Sequence, residues 1–321
     1  MTSKSSHARP LVTVVTVTYN SSMYVRDAIE SVLAQSYDHL EFIIADDCST
    51  DNTWSIIQEY NDPRINSYRN EKNLLEYPNR NKALEKASGK YLIFIDGDDV
   101  MYPHGLEFMV RMAESFPDSA MAVMRAYRPN IIYPVEVSPH DLFVAEYFHK
   151  SLLDIAFTNT LFTTSVLKEM GGLPTGYISG DTYIRLKIAR QYPCLLINDN
   201  LTWWRVTPGQ ASSKLVDSLE GVVQNYEYKS SLLENAPLTD EQRLLALKNL
   251  RYKVVHRAAR LFLKGQFRKS LYLLKATRLV YQVPAYLIYS YTSIDPFSEY
   301  SSARPLKRRF SDHPYSILKS D

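Results

Sequence analysis

Residues 79–99 read NRNKALEKASGKYLIFIDGDD, and this stretch decides the fold. Asn79 to Ala87 reads as a helix, with Gly89 after it as a left-handed stop. Tyr91 to Ile95 is an unbroken apolar run of the length expected for a strand buried on both faces. It ends abruptly in Asp96-Gly97-Asp98-Asp99, and Pro103 then marks the first turn of the next helix.

The same alternation extends upstream. Leu11 to Thr18 (LVTVVTVT) is a β-branched run suited to a buried parallel strand. Val25, Ile29, Val32 and Leu33 then fall at helical spacing on one stripe. Leu40 to Ala45 is a second buried strand and ends in Asp46-Asp47. Ser49 to Thr53 offers N-cap residues to a helix carrying Ile56, Ile57 and Tyr60, and Arg64 to Tyr68 is a short strand. Strands alternating with helices through short connections predict a doubly wound, mainly parallel α/β sheet. Ligands bind such sheets outside the carboxyl ends of the strands, where both acidic clusters fall.

Past Met124 the pattern loosens. Met170 to Pro174 is a turn, Gly180-Asp181 opens a helix running to about Gln191, and Cys194–Ile197 and Leu201–Val206 read as strands. Helical sequence follows beyond Leu215. From Arg243 onward 16 Lys/Arg face 4 Asp/Glu, a net +12, whereas the preceding 242 residues carry 21 against 31, a net −10. The expected organisation is a disordered 1–10, a catalytic domain over 11–214 with halves at 11–100 and 101–214, and a helical basic region over 215–321. The polar start MTSKSSHARP and the absence of a long apolar run point to a cytoplasmic chain. The two cysteines, Cys48 and Cys194, supply no disulfide framework. The acidic front makes nucleic acid a poor partner, leaving it conceivable only for the basic tail. The seven histidines are scattered without metal spacing, and neither a GxGxxG fingerprint nor a GxxxxGK[ST] phosphate loop occurs.

Three carboxylates within four residues, Asp96, Asp98 and Asp99, repel one another unless a cation or donor compensates. Oxygen ligands of this kind suit Mg²⁺ or Mn²⁺ completed by substrate phosphates. Gly97 leaves room for a ligand to approach the backbone.

VVTVTYN (14–20), IIADDCSTDNT (43–53), NRNKALEKASGKYLIFIDGDD (79–99) and Gly180-Asp181 occur in an order and spacing that resembles glycosyltransferase family 2, with the GT-A fold. That resemblance implies a nucleotide-sugar transferase acting with inversion in cell-surface polysaccharide or glycolipid synthesis. Thr18 and Tyr19 would line the nucleotide pocket, Asp47 would accept a hydrogen bond from the base, most often uracil, and Arg80 would approach the nucleotide or its diphosphate. Asp96 and Asp98 match the family's Asp-x-Asp, with Asp98 the direct metal ligand and Asp99 beside it. Asp181 matches the family's catalytic base. Many relatives carry a histidine after the last strand of the domain; here that stretch reads WRVTPGQ (204–210), and Arg205 takes the diphosphate contact instead.

Plainer readings stand beside these. Asp181 serves equally as the N-cap of a helix over Thr182–Gln191, Arg80 as a surface charge, and Trp203-Trp204 as core. Rival functions are a sugar-1-phosphate nucleotidyltransferase, which needs a Gly-rich loop where Tyr19-Asn20-Ser21 stands, a response-regulator-like domain, and a non-catalytic sugar- or nucleotide-binding scaffold. The acceptor would be a carbohydrate or a lipid-linked saccharide. In Arg257–Leu279, Leu261, Phe262, Phe267, Leu271, Leu273 and Leu274 alternate with cations, as in a basic helix lying on an anionic membrane at the inner face of the plasma membrane. The same region reads equally as a subdomain packed on the catalytic domain.

Overall fold

The computed structural model describes residues 9–125, 132–198, 201–207 and 218–288. Most of the expected disordered N-terminus, the 214/215 boundary, Pro208–Gln210 and the tail beyond Ile288 lie outside the described residues.

The first half of the chain folds in the predicted order: β1 (Val12–Thr18), α1 (Val25–Leu33), β2 (Leu40–Asp46), α2 (Thr53–Ile57), β3 (Ile65–Arg69), α3 (Glu76–Lys86) and β4 (Tyr91–Phe94). These four strands are mutually parallel, with β1 between β2 and β4. Then come β5 (Val100–Met101), α4 (Gly105–Ser115), β6 (Met121–Arg125), β7 (Val135–Val137), α5 (Pro139–Phe148), β8 (Thr160–Thr163), α6 (Thr164–Glu169), α7 (Gly180–Ala189), β9 (Cys194–Asn198) and β10 (Thr202–Trp203). The eight-stranded sheet has the order β3-β2-β1-β4-β8-β6-β9-β7, while β5 and β10 form a separate antiparallel pair. β8 runs antiparallel to both its neighbours and β7 to β9, so the sheet is mixed around a parallel half.

Both faces of the sheet are covered, and side-chain alternation along the strands divides the core accordingly. Val12 and Val14 of β1 and Tyr91 and Ile93 of β4 pack with α1 and α4, where Ile29 and Leu106 are fully buried. Val15, Leu92 and Phe94 point the other way, into a core shared with α3, α5 and α7. The C-terminal helices α8 (Leu219–Leu233), α9 (Asp240–Leu263), α10 (Phe267–Ala276) and α11 (Val283–Ile288) follow. Tyr228, Leu232 and Leu233 of α8 and Ala246 and Leu250 of α9 belong to the same core as Phe143 and Phe94. The rest of α9 builds a smaller cluster with α10, around Val255, Ala258 and Leu273.

Several element limits differ from the sequence reading, each for a physical reason. α3 starts at Glu76, three residues before Asn79, because Leu75 (φ 73°) makes the turn into it. Leu75 is held there by its N–H on Asp47 Oδ2 at 2.9 Å. Gly89 is not in the left-handed region; it is required by space, since a Cβ there would lie 2.5 Å from Thr13 N. α2 ends at Ile57, leaving Tyr60 beyond it. α4 begins at Gly105, after Val100–Met101 has paired with β10. The strand expected over Leu201–Val206 shrinks to Thr202–Trp203, because the Arg205 N–H turns to Asp99 Oδ1 (3.0 Å). The basic helix expected across Arg257–Leu279 is two helices broken at Gly265 (φ 72°). Leu273 lies inside and Leu261 and Leu274 pack against that inner cluster, whereas Phe262, Phe267 and Leu271 face outward.

The contact at Gly89 makes a test of the packing of β1 on the α3–β4 connection. Gly89→Ala should destabilise the protein by about 1–3 kcal/mol in chemical denaturation, because the added methyl meets backbone that cannot rotate away.

Candidate active site

The carboxyl ends of β1, β2 and β4 open onto a cleft of about 1250 Å³. Thr18, Tyr19, Asp47, Arg80, Asp96, Asp98 and Asp181 all line it, so seven residues singled out in the sequence meet on one surface. Asp99 and Arg205 do not line it.

The base of the cleft is tied together by short loops. Asp46 is fully buried and accepts hydrogen bonds from Thr18 Oγ1 (3.1 Å) and Ser49 N (3.1 Å), so the end of β1 is fastened to the end of β2. Asn20 (φ 52°) donates its N–H to Ser49 Oγ and accepts from Thr50 N at 2.8 Å. Asp51 caps the next turn by accepting from Thr53 N and Ser22 N, and despite partial burial these donors hold its carboxyl down at about 2. Tyr19 is left half exposed above this frame.

Asp47 is buried, yet both its oxygens are engaged. Oδ1 accepts from Asn70 Nδ2 (2.9 Å) and Leu74 N (2.8 Å), and Oδ2 from Leu75 N (2.9 Å). Asn70 also donates to Asn79 Oδ1 (2.8 Å), and Asn79 to Ala45 O (3.0 Å). Asp47 therefore shapes the 70–75 segment that forms one rim of the cleft.

Arg80 is not a surface charge. It is 2% exposed and pairs with Glu76 at 2.8 Å and with Asp96. Its guanidinium lies 5.1 Å from the Phe157 ring centre. Burial disfavours its charge, but Asp96 and Glu76 more than compensate and hold its pKa above the ordinary value. Burial also raises the carboxyl of Glu76, with Arg80 opposing. Arg80 thus orients Asp96 from below and lies in the cleft wall itself.

The acidic loop turns tightly through an Asp99 N–H bond to Asp96 O of 3.0 Å. A Cβ at Gly97 would lie 2.9 Å from Thr18 Cγ2, so the glycine is needed to seat this loop on β1, whatever approaches from the cleft. Asp98 is on the wall, and burial, then the charge of Asp96, raise its pKa. Thr207 Oγ1 lies 3.3 Å from Asp98 Oδ2. Asp99, grouped with the metal ligands by sequence, is fully buried beneath the loop. Burial and the Asp96 charge push its carboxyl up to about 7. Arg205, expected at a diphosphate, instead staples the loop: Nε donates to Asp98 O (2.8 Å) and Nη2 to Asp27 (2.8 Å). It lies over Tyr24 and Trp203, 4.6 Å from each ring centre. The tryptophans are not core: Trp203 and Trp204 are 45% and 43% exposed, and Trp204 lines the cleft.

Among the described residues no group of three or more His, Cys, Asp or Glu side chains is arranged to hold a metal ion. Asp96 and Asp98 remain as a pair of carboxylates on the wall, the donor set that Mg²⁺ or Mn²⁺ accepts when phosphates complete its shell.

Asp181 sits in the first turn of α7 and accepts from Arg185 Nη2 at 2.7 Å. Its side chain is 23% exposed toward the cleft it lines, whereas Arg185 is fully buried. No side-chain cap closes this helix; the Tyr77 hydroxyl takes the Gly180 N–H at 2.9 Å. The N-cap reading of Asp181 therefore loses its ground.

Sequence reasoning missed the far wall. Glu146, Ser151 and Asp154 line it together with Asn225, Tyr228 and Lys229 of α8. Lys229 pairs with Glu146 at 2.5 Å, and Tyr147 Oη donates to Lys229 O at 2.8 Å. Burial opposes the Glu146 charge, but Lys229 and Ser151 keep its pKa low. The signal available was a lone Glu between Ala145 and Tyr147 in an otherwise apolar helix, VAEYF.

Residues 13–169 match the family described as Glycosyl transferase family 2. They form a glycosyltransferase family 2 domain. A putative teichuronic acid biosynthesis glycosyltransferase, TuaG, of Bacillus subtilis is 43% identical over 122 residues, 36% of this chain and 48% of that protein. The Escherichia coli UDP-Glc:alpha-D-GlcNAc-diphosphoundecaprenol beta-1,3-glucosyltransferase WfaP is 40% identical over 89 residues, 28% of this chain and 36% of that protein. The chain thus spans less than half the length of these curated relatives. Among solved structures, S. aureus TarS 1-349 with UDP-GlcNAc superposes with a TM-score of 0.66 at 20% identity, covering 83% of this chain and 79% of that one. The mannosyltransferase PcManGT of Pyrobaculum calidifontis, with GDP-Man and Mn2+, gives 0.57 at 20% identity, covering 88% and 86%. The family 2 domain here has the GT-A fold, and helices α8 and α9 lie beyond its matched segment.

Removing the buried cation of this domain tests the wall. Arg80→Met should cost about 1–3 kcal/mol of stability in a urea titration, because Asp96 and Glu76 lose charge-assisted hydrogen bonds but are exposed enough to be rehydrated.

Proposed function

We propose that this protein transfers a sugar from a nucleoside-diphosphate sugar, with UDP as the carrier, to an acceptor hydroxyl with inversion at the anomeric carbon. The observation that carries the reading is the convergence of Asp47, Asp96, Asp98 and Asp181 on one cleft at the strand ends. The donor nucleotide lies along Thr18, Tyr19 and Asp47, and its diphosphate reaches Asp96 and Asp98. Asp98 and Asp96 would hold Mn²⁺ or Mg²⁺ there, which would neutralise the charge that develops on the leaving diphosphate. The acceptor oxygen attacks the anomeric carbon as the bond to the diphosphate breaks on the opposite face, and its proton passes to Asp181. Arg185, buried behind Asp181, fixes the carboxylate that accepts it. Acceptor hydroxyls meet the polar wall of Glu146, Asn225, Tyr228 and Lys229.

Support for a cell-surface role comes from the names of the relatives, which include teichuronic acid biosynthesis and a glucosyltransferase for GlcNAc-diphosphoundecaprenol. A lipid-linked saccharide is accordingly the proposed acceptor, reached from the inner face of the plasma membrane. Among the described residues no helix is long and apolar enough to cross a membrane.

Two substitutions separate metal from base. Asp98→Asn should abolish UDP release from UDP-sugars and remove the Mn²⁺-dependent thermal shift produced by UDP; wild-type turnover after EDTA treatment would overturn the assignment. Asp181→Asn should lower kcat by roughly 10² or more with UDP affinity near normal. Retained kcat with a shifted melting temperature would return Asp181 to a structural role.

A further inference from the structure

The outer face of α9 and α10 is exposed where the two helices meet. Every residue from Phe262 to Lys269 (FLKGQFRK) is exposed, on both sides of the Gly265 turn. Phe262 is 57% exposed, Leu263 84%, Phe267 57% and Leu271 47%. Scattered apolar residues are ordinary on a surface, but four large ones on one helical tip are not. Phe262 and Phe267 meet edge to face at 4.8 Å, so they form one apolar ridge.

The cations on this tip are as concentrated as the apolar groups. Lys264, Arg268 and Lys269 flank the ridge, with Arg260 and Lys275 one turn away on either side. From Arg243 to Ile288 the sequence has 11 Lys/Arg and no Asp or Glu, so no carboxylate of α10 or of this part of α9 can neutralise them. The inner side of the same helices is spent on packing, with Leu273 fully buried and Ser270 Oγ donating to Ala258 O at 2.8 Å. The tip is therefore held on the fold from behind.

We propose that this tip is a docking surface for a bilayer rich in anionic lipid, Phe262, Leu263 and Phe267 entering the acyl boundary while Lys264, Arg268 and Lys269 meet the headgroups. An apolar ridge ringed by cations is complementary to that interface on both counts, which a neutral bilayer or a second basic copy of this chain is not. The inference deepens the proposed use of a lipid-linked acceptor by naming the surface that holds the enzyme beside it. Docking needs no turnover, so it stands or falls separately from the transferase reading.

The test uses the full-length protein and sedimentation with vesicles of phosphatidylcholine alone or of phosphatidylcholine mixed with phosphatidylglycerol, whose anionic headgroups give a negative surface potential. The wild type should pellet with the anionic vesicles only, and less as NaCl rises. Phe262→Ser/Leu263→Ser/Phe267→Ser and Lys264→Gln/Arg268→Gln/Lys269→Gln should each weaken vesicle binding by about tenfold or more while leaving the UDP–Mn²⁺ thermal shift and circular dichroism unchanged. Equal binding to both vesicle types, or wild-type binding by both variants, overturns the proposal. So does an oligomer of the wild type, seen by light scattering, that the first variant dissociates in the absence of any vesicle binding.

Discussion

Arg80 carries a full charge at a position almost closed to water, and a buried guanidinium persists only if anions are brought to it. The two that answer are Glu76, which opens α3, and Asp96, which opens the acidic loop. Asp96 is consequently oriented from the core side, and Asp98 follows two residues later on a turn that Gly97 allows to press against Thr18. From Glu76 the chain of contacts continues through Tyr77, whose hydroxyl donates to Ile178 O (3.1 Å) and receives the Gly180 N–H, so the helix bearing Asp181 is positioned from the same place. Carboxylates that come together from three separate segments thereby share one internal reference point.

Much of this was legible in the chain. The β-branched run 11–18, the apolar run 91–95 and the acidic residues that end the strands identify a parallel sheet and the edge at which ligands bind, because burial on both faces leaves no other pattern. The direction in which a given side chain points was not legible. Asp98 and Asp99 are neighbours in sequence, yet one lines the cleft and the other lies under it, since successive residues of a tight turn face different ways. The plainer reading of Arg80 as a surface charge fails because its burial depends on Asp96, 16 residues away on another element, which no local pattern shows. The strand through Trp204 and Arg205 was drawn too long for a related reason: a hydrogen bond to Asp99 ends it early, and only the three-dimensional partner shows that.

The far wall is the largest omission. Lys229 and Glu146 are 83 positions apart, and their meeting depends on α8 packing against α5, a contact that no local signal specifies. The matched family segment ends at residue 169, but the hydrophobic core continues into α8 and the start of α9. The family 2 segment and the helices after it share one hydrophobic core on that side of the sheet.

The double attachment of α8 to α5 also limits how this chain can vary. Glu146 takes the Lys229 ammonium and the adjacent Tyr147 takes the Lys229 carbonyl, so side chain and backbone of a single residue are fixed together. With Lys229 anchored, one residue inserted in α8 ahead of Tyr228 would rotate the turns before it by about 100° and take Val223 out of its cluster. α8 also packs on α7, α9 and α10, so its phase is fixed from several sides along its length. Insertions and deletions among descendants of this sequence should therefore be absent within α8.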